Sequence, residues 1–129
     1  MYTLCILDVQ PGFEEAEQIL EPVRELLHQA IADQAFIILA LFKNCGEFTW
    51  EVERPCKVWH TKRDRVSAIR RVLPDMEVRV AGLYTDLFLK DLVKGLSRDF
   101  PVKVMSHACY GDKSAFDTMR LYQNVTIVQ

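Results

Sequence analysis

Apolar positions along the chain follow two alternating patterns: short uninterrupted runs, and longer stretches with an apolar residue every three or four positions. Tyr2 to Asp8, "YTLCILD", is a run that ends in an acid and is broken by Pro11 and Gly12, which predicts a strand and then a turn. Ala16, Ile19, Leu20, Val23, Leu26, Leu27, Ala30 and Ile31 then recur at helical spacing, with Pro22 marking a helix start or kink. Ala35 to Phe42, "AFIILALF", is apolar on both faces, as expected of a central parallel strand covered by helices on each side. Cys56 to His60 predicts a third strand, Arg65 to Leu73 a short helix stopped by Pro74, and Glu77 to Leu83 a fourth strand. A helix from Asp86 to about Ser97 would bury Leu87, Leu92, Val93 and Leu96. Val102 to Ser106, a helix over Ser114 to Tyr122, and the strand Val125 to Val128 complete the pattern.

Strands alternating with helices, without a Gly/Ser-rich linker or a repeat, predict one α/β domain over residues 1–129. Right-handed crossovers make it a three-layer, doubly wound sheet of about six parallel strands with helices on both faces. Ligand chemistry in such a sheet lies beyond the carboxyl ends of the strands. Here that places Asp8, the 43–50 loop, His60 to Asp64, Tyr84 to Phe88 and His107 to Tyr110 together. Lys43 to Arg54 has no period and carries Phe48 and Trp50; a hairpin, a lid or a contact surface are all open for it.

Half of the 129 residues are hydrophobic and 26% are charged, which suits a folded core and argues against disorder. The formal net charge of -2 gives no general attraction to nucleic acid or an acidic membrane, so neither is expected as a partner. No basic segment precedes the first apolar run, and the longest such run falls well short of the roughly 20 residues of a membrane span. A cytoplasmic location is the expectation.

The five glycines form neither a dinucleotide fingerprint nor a phosphate loop, and no cofactor is expected. Cys5, Cys45, Cys56 and Cys109 lack the spacing of a zinc site or a disulfide framework and are expected as free thiols. No metal site is expected. His60 and His107 could meet at the strand ends, although satisfied structural histidines are the commoner case. Lys62, Arg63 and Arg65, with Arg70 and Arg71 downstream, gather positive charge where a phosphate or carboxylate could be received, or form a solvated helix face. Gly82 to Leu89, "GLYTDLFL", turns a strand into a helix, with Thr85 suited to capping and Asp86 to the first turn. Phe88 sits where such a turn usually carries polar chemistry.

Four stretches together resemble the isochorismatase-like cysteine hydrolases, the superfamily that includes nicotinamidases. "CILDVQPGF" resembles the family's first strand, which ends in Asp followed by x-Gln and an aromatic. Lys62 in "VWHTKRD" resembles the family lysine, "VAGLYTDLFL" the Gly-x-x-Thr-Asp-x-Cys-Val turn, and "VKVMSHACYGD" the fifth strand. The motifs occur in order over nearly the whole chain. The resemblance implies Asp8 as a proton acceptor, Lys62 as the supporting cation and a cysteine nucleophile at the position held by Phe88. A phenyl ring cannot attack, so the family's covalent route is expected to be lost. His107 replaces the fifth-strand aspartate, and "FKNCGEF" after the second strand lacks the metal-binding Asp/His cluster.

The expected function is therefore non-catalytic binding of a small aromatic or nucleotide-like ligand. Asp8 would accept hydrogen bonds, Lys62 and Arg63 would meet an anion, and Tyr84 and Phe88 would form an apolar wall. One alternative is an amide or ester hydrolase using Cys45, Cys109 or a water held by Asp8. Another is a protein-interaction module acting through Phe48 and Trp50. Self-association, common in the family, makes a homo-oligomer a candidate assembly.

Overall fold

The computed structural model describes residues 1–129 and contains one sheet of six parallel strands in the order β3-β2-β1-β4-β5-β6. The strands are β1 (Tyr2–Leu7), β2 (Phe36–Phe42), β3 (Cys56–His60), β4 (Glu77–Leu83), β5 (Val102–Tyr110) and β6 (Val125–Val128). The helices are α1 (Leu20–Ala32), α2 (Arg65–Arg70), α3 (Lys90–Leu96) and α4 (Ala115–Met119). Successive strands are added outward in one direction from β1 to β3 and in the opposite direction from β4 to β6, so the crevice of this α/β fold opens at the carboxyl ends of β1 and β4.

Alternation along the central strands feeds two cores. Cys5, Leu7, Ile38, Ala40, Val78 and Val80 pack under α2, α3 and α4. Leu4, Ile6, Leu39, Leu41 and Ala81 pack on the other face with Ile19, Val23, Leu27 and Ala30 from α1 and the turn before it. This explains why β2 is apolar at every position and β1 at every position but Thr3, which is buried all the same. Each fully buried aliphatic side chain contributes roughly 1.5–3 kcal/mol, which fixes the register of the strands that carry the site.

Several elements differ from the pattern-based expectation. A 3-10 turn over Glu14–Ile19 precedes α1, so Pro22 falls in the first helical turn, where its missing N–H costs nothing. Ile31 is exposed, because the buried stripe ends at Ala30. β5 runs on to Tyr110, since its pairing with β4 jumps from Val80–Val104 to Gly82–Cys109 through an irregularity. The last helix is shorter than predicted, Ala115–Met119.

The Gly82–Leu89 turn departs most. The Leu83–Tyr84 peptide is cis, and residues Thr85–Leu89 form one π-helical turn before α3. The extra residue in that wider turn shifts the helical phase. Leu87, predicted as buried, is 57% exposed, while Leu89 takes its place in the core. Thr85 is buried and does not cap the helix; its hydroxyl donates to the Asp112 carbonyl at 2.7 Å.

Lys43 to Pro55 makes the β2–β3 crossover without a helix or hairpin. It starts under a side-chain clamp. Gln10 Nε2 donates to the carbonyls of Phe42 and Gly46, both at 2.9 Å, and Gln10 Oε1 accepts the Phe42 N–H at 2.7 Å. Phe48, Trp50 and Val52 then fold back onto the α1 face of the sheet. No helix of the structure is long and apolar enough to cross a membrane.

Candidate functional site

β1 ends at Leu7, and the next residue, Asp8, continues the sheet hydrogen bonding by donating its N–H to the Ala40 carbonyl at 2.9 Å. Asp8 then takes φ +59, a left-handed conformation that aspartate tolerates better than most side chains. Beside it Gly82 has φ +129, and a Cβ there would run into the backbone of Leu7. β1 and β4 therefore approach closely where the crevice begins.

The Asp8 carboxylate is fully buried. Its Oδ1 lies 2.7 Å from His60 Nε2 and its Oδ2 accepts from the Arg65 guanidinium at 3.5 Å. His60 Nδ1 is 3.3 Å from the Thr61 carbonyl. The short contact to Asp8 requires a proton between the two groups, which an imidazole N–H supplies. Burial pulls the Arg65 guanidinium below its ordinary pKa, opposed chiefly by the charge of Asp8. Arg65 Nε is buried without a hydrogen-bond partner. The result is a closed Asp–His–Arg network, with one unused donor on its cation.

Aromatic rings cover this network. The Arg65 guanidinium carbon lies 4.3 Å from the Phe88 ring centroid and 5.7 Å from that of Phe42. Phe42 and Phe88 stack at 6.0 Å, and Phe13 meets Phe42, Tyr84 and Phe88 edge-on at 5.9–6.0 Å. Tyr84 packs against Phe88 at 5.4 Å and donates its hydroxyl to Glu15 at 2.7 Å. Burial, then the bond to Glu15, pushes the Tyr84 phenol up to about 12. These four rings are half-buried, so they both fill the crevice and form its rim.

The sequence-predicted residues are thus partly brought together. Asp8, Tyr84 and Phe88 converge. Lys62 and Arg63 do not join them: both are exposed on the turn after β3, and neither pairs with Asp8. The reason is local. Asp64 folds its carboxylate back to accept the Thr61 N–H at 2.6 Å and the Thr61 hydroxyl at 2.9 Å. Those bonds hold the Asp64 carboxyl below its usual range. The tightened turn leaves Lys62 outside and starts α2 with Arg65 directed inward. His107, on the β5 extension, is exposed and lies apart from His60. Phe13 and Phe42 are members of the site that the sequence patterns did not single out, and Arg65, read there only as one cation of a basic run, is the member of that run that reaches Asp8. A signal for Arg65 existed, since it opens a helix immediately beyond a strand end.

The thiols stand elsewhere. Cys5 is buried within β1, and burial raises its pKa to about 12. Cys109 lies in β5 with its Sγ donating to the Met105 carbonyl at 3.2 Å; burial again raises it to about 12. Cys45 is half-buried in the crossover, where its carbonyl accepts the Gly12 N–H at 2.8 Å. Histidine, cysteine, aspartate and glutamate side chains form no group of three that could hold a metal ion.

No protein-family model matches the sequence, and no curated protein matches it either. Solved structures do. The pyrazinamidase of Pyrococcus horikoshii, in complex with zinc, superposes with a TM-score of 0.79 at 16% identity, covering 99% of this chain and 98% of that one. An isochorismatase-like hydrolase from Alkaliphilus metalliredigens gives 0.70 at 13% identity, with 98% and 91% covered. MAR1 ribonuclease from Caenorhabditis elegans also gives 0.70, at 16% identity, with 95% and 77% covered. At such identities the likeness is one of fold, and the chain has the isochorismatase-like α/β fold. A ribonuclease among the matches shows that this fold alone does not name a reaction.

Proposed function

We propose that the protein binds a small aromatic molecule without hydrolysing it, at the crevice between Arg65, Tyr84 and Phe88. The observation that carries this reading is the Phe88 ring lying 4.3 Å from the Arg65 guanidinium, whose Nε has no partner. A flat cation under an aromatic face is a stacking slot, worth about 2 kcal/mol when desolvated. Phe88 occupies that slot itself. A ligand ring that displaced it, with a carbonyl or carboxylate oxygen meeting Arg65 Nε, would satisfy both the stack and the orphan donor. Asp8 then holds Arg65 and His60 in place rather than touching the ligand, while Lys62 and Arg63 remain exposed on the turn after β3.

The same geometry weighs against turnover. By the sequence resemblance Phe88 falls where the family carries its nucleophile, and burial holds the Cys5 and Cys109 thiols in the protonated, poorly nucleophilic form. Asp8 has no exposed oxygen with which to activate a water. Phe48 and Trp50 pack inward on the sheet, which supports a structural use of that loop over a projecting interaction surface.

Calorimetry with nicotinamide and pyrazinamide, on wild type, Phe88→Ala and Arg65→Leu, tests the reading. Emptying the slot in Phe88→Ala is expected to tighten binding about tenfold, and Arg65→Leu to abolish it. Turnover of either amide by wild type would overturn the non-catalytic part. Absence of binding to folded Phe88→Ala would overturn the ligand class.

A further inference from the structure

The β2–β3 crossover covers the sheet without a helix, and a cavity of about 290 Å³ lies beneath it. Its floor is Leu39 and Leu41, on the α1 face of β2; its roof is Phe48, Trp50 and Val52. Phe48 and Trp50 meet edge-to-face at 6.1 Å. A smaller cavity of about 140 Å³ lies toward Leu27 and His28, and Trp50 and Val52 line both spaces. This region is separate from the crevice: Leu41 feeds the α1-face core, whereas its neighbour Phe42 packs with His60 and Phe88.

One ion pair spans the cavity wall. Lys57 Nζ lies 2.7 Å from Glu47 Oε1. Lys57 projects from β3, opposite Leu39 in the register, and is fixed by the sheet. Glu47 belongs to the irregular crossover and has no sheet hydrogen bonding to hold it. The cation is thus the permanent member of the pair and the carboxylate the replaceable one. Both are about half exposed, so the pair itself adds little stability and exchanging its anion costs little.

We infer that this cavity binds a small aryl carboxylate, its ring between Leu39/Leu41 and Phe48/Trp50, its carboxylate taking the place of Glu47 on Lys57. The volume, at the low end for ligand sites, fits a single ring on a short acid arm. The site does not depend on the fate of the crevice, because none of its walls belongs to the Asp8 network.

The two tryptophans allow a direct test. Trp59 lies exposed on β3, so a Trp59→Phe protein carries Trp50 alone, in the cavity wall. 3-Phenylpropionate is expected to change its fluorescence saturably at millimolar or lower concentration. Lys57→Met should weaken that acid about tenfold while leaving 3-phenylpropanamide unaffected. Val52→Phe, which fills the cavity, should abolish binding. If that variant fails to fold, amide shifts in the Trp59→Phe protein decide the matter: movement at Leu39, Leu41 and Lys57 supports the site. No saturation, equal affinity for acid and amide in both backgrounds, or shifts confined to Tyr84 and Phe88 would overturn it; the last result would leave the crevice reading standing.

Discussion

The crevice at the ends of β1 and β4 and the crossover beneath Trp50 have exchanged the roles that an α/β fold ordinarily gives them. Doubly wound sheets keep open space at the strand ends and fill their faces with helices. Here the strand ends are closed by four aromatic rings over a buried Asp–His–Arg network, while the α1 face beside β3 retains a cavity under irregular chain. Architecture sets where the chain turns. Which turn encloses space depends on the side chains that happen to meet there.

That contrast can be broken most sharply at Asp8. Asp8→Ala would leave the buried Arg65 guanidinium without its ion-pair partner, with Asp91 and Asp64 acting only as unbonded charges, and such one-sided losses cost about 3–5 kcal/mol. Urea denaturation is expected to show a loss of that size. A loss below about 1 kcal/mol would mean that the rings, and not the charges, hold the crevice shut. The rings can be weighed next. Phe88→Ala should cost about 2 kcal/mol, because Phe13, Phe42, Tyr84 and Arg65 all lose a packing partner. Trp50→Ala should cost about 1 kcal/mol, since its ring already borders empty volume on two sides. Equal costs would erase the distinction between a packed and an unpacked region.

The smallest effect concerns alkaline pH. Burial, reinforced by Glu15 and Asp33, raises the Tyr84 and Tyr2 phenols from 10.0 to about 12. The folded protein binds these protons more tightly than the unfolded chain, so their contribution is complete below pH 10 and is lost as pH rises toward 12. Cys5 and Cys109, raised by burial from 9.0 to about 12, add the same sign from pH 9 upward. Thermal melts between pH 9 and 12 should therefore fall with pH, and Tyr84→Phe should make the fall shallower above pH 10.

The strands were legible because their signal is local. β1 and β2 are apolar at consecutive positions, and two covered faces account for that without further information. The strand-end acid and the aromatic in the β4–α3 turn were visible for the same reason. Partners were harder. Lys62 stands nearer the end of β3 than Arg65, and only the backward hydrogen bonds of Asp64 decide which of the two faces Asp8. Phe13, Phe42 and Phe88 are remote in sequence and meet because their strand ends converge. The crossover has no period, and its inward fold follows from the uncovered apolar face of β2, which a pattern within the loop itself does not record.

Gln10 carries a consequence for the chain's tolerance to change. Its primary amide is chemically a peptide group on a short stalk, and it serves the N–H and C=O of Phe42 as a neighbouring strand would. The corner where β2 becomes the crossover is thereby stitched by a side chain in place of backbone. Glutamate would turn both donated bonds into repulsions between oxygens, and asparagine would fall one methylene short. Neither of the glutamine's nearest chemical relatives can thus take over this corner, whatever the crevice beside it binds.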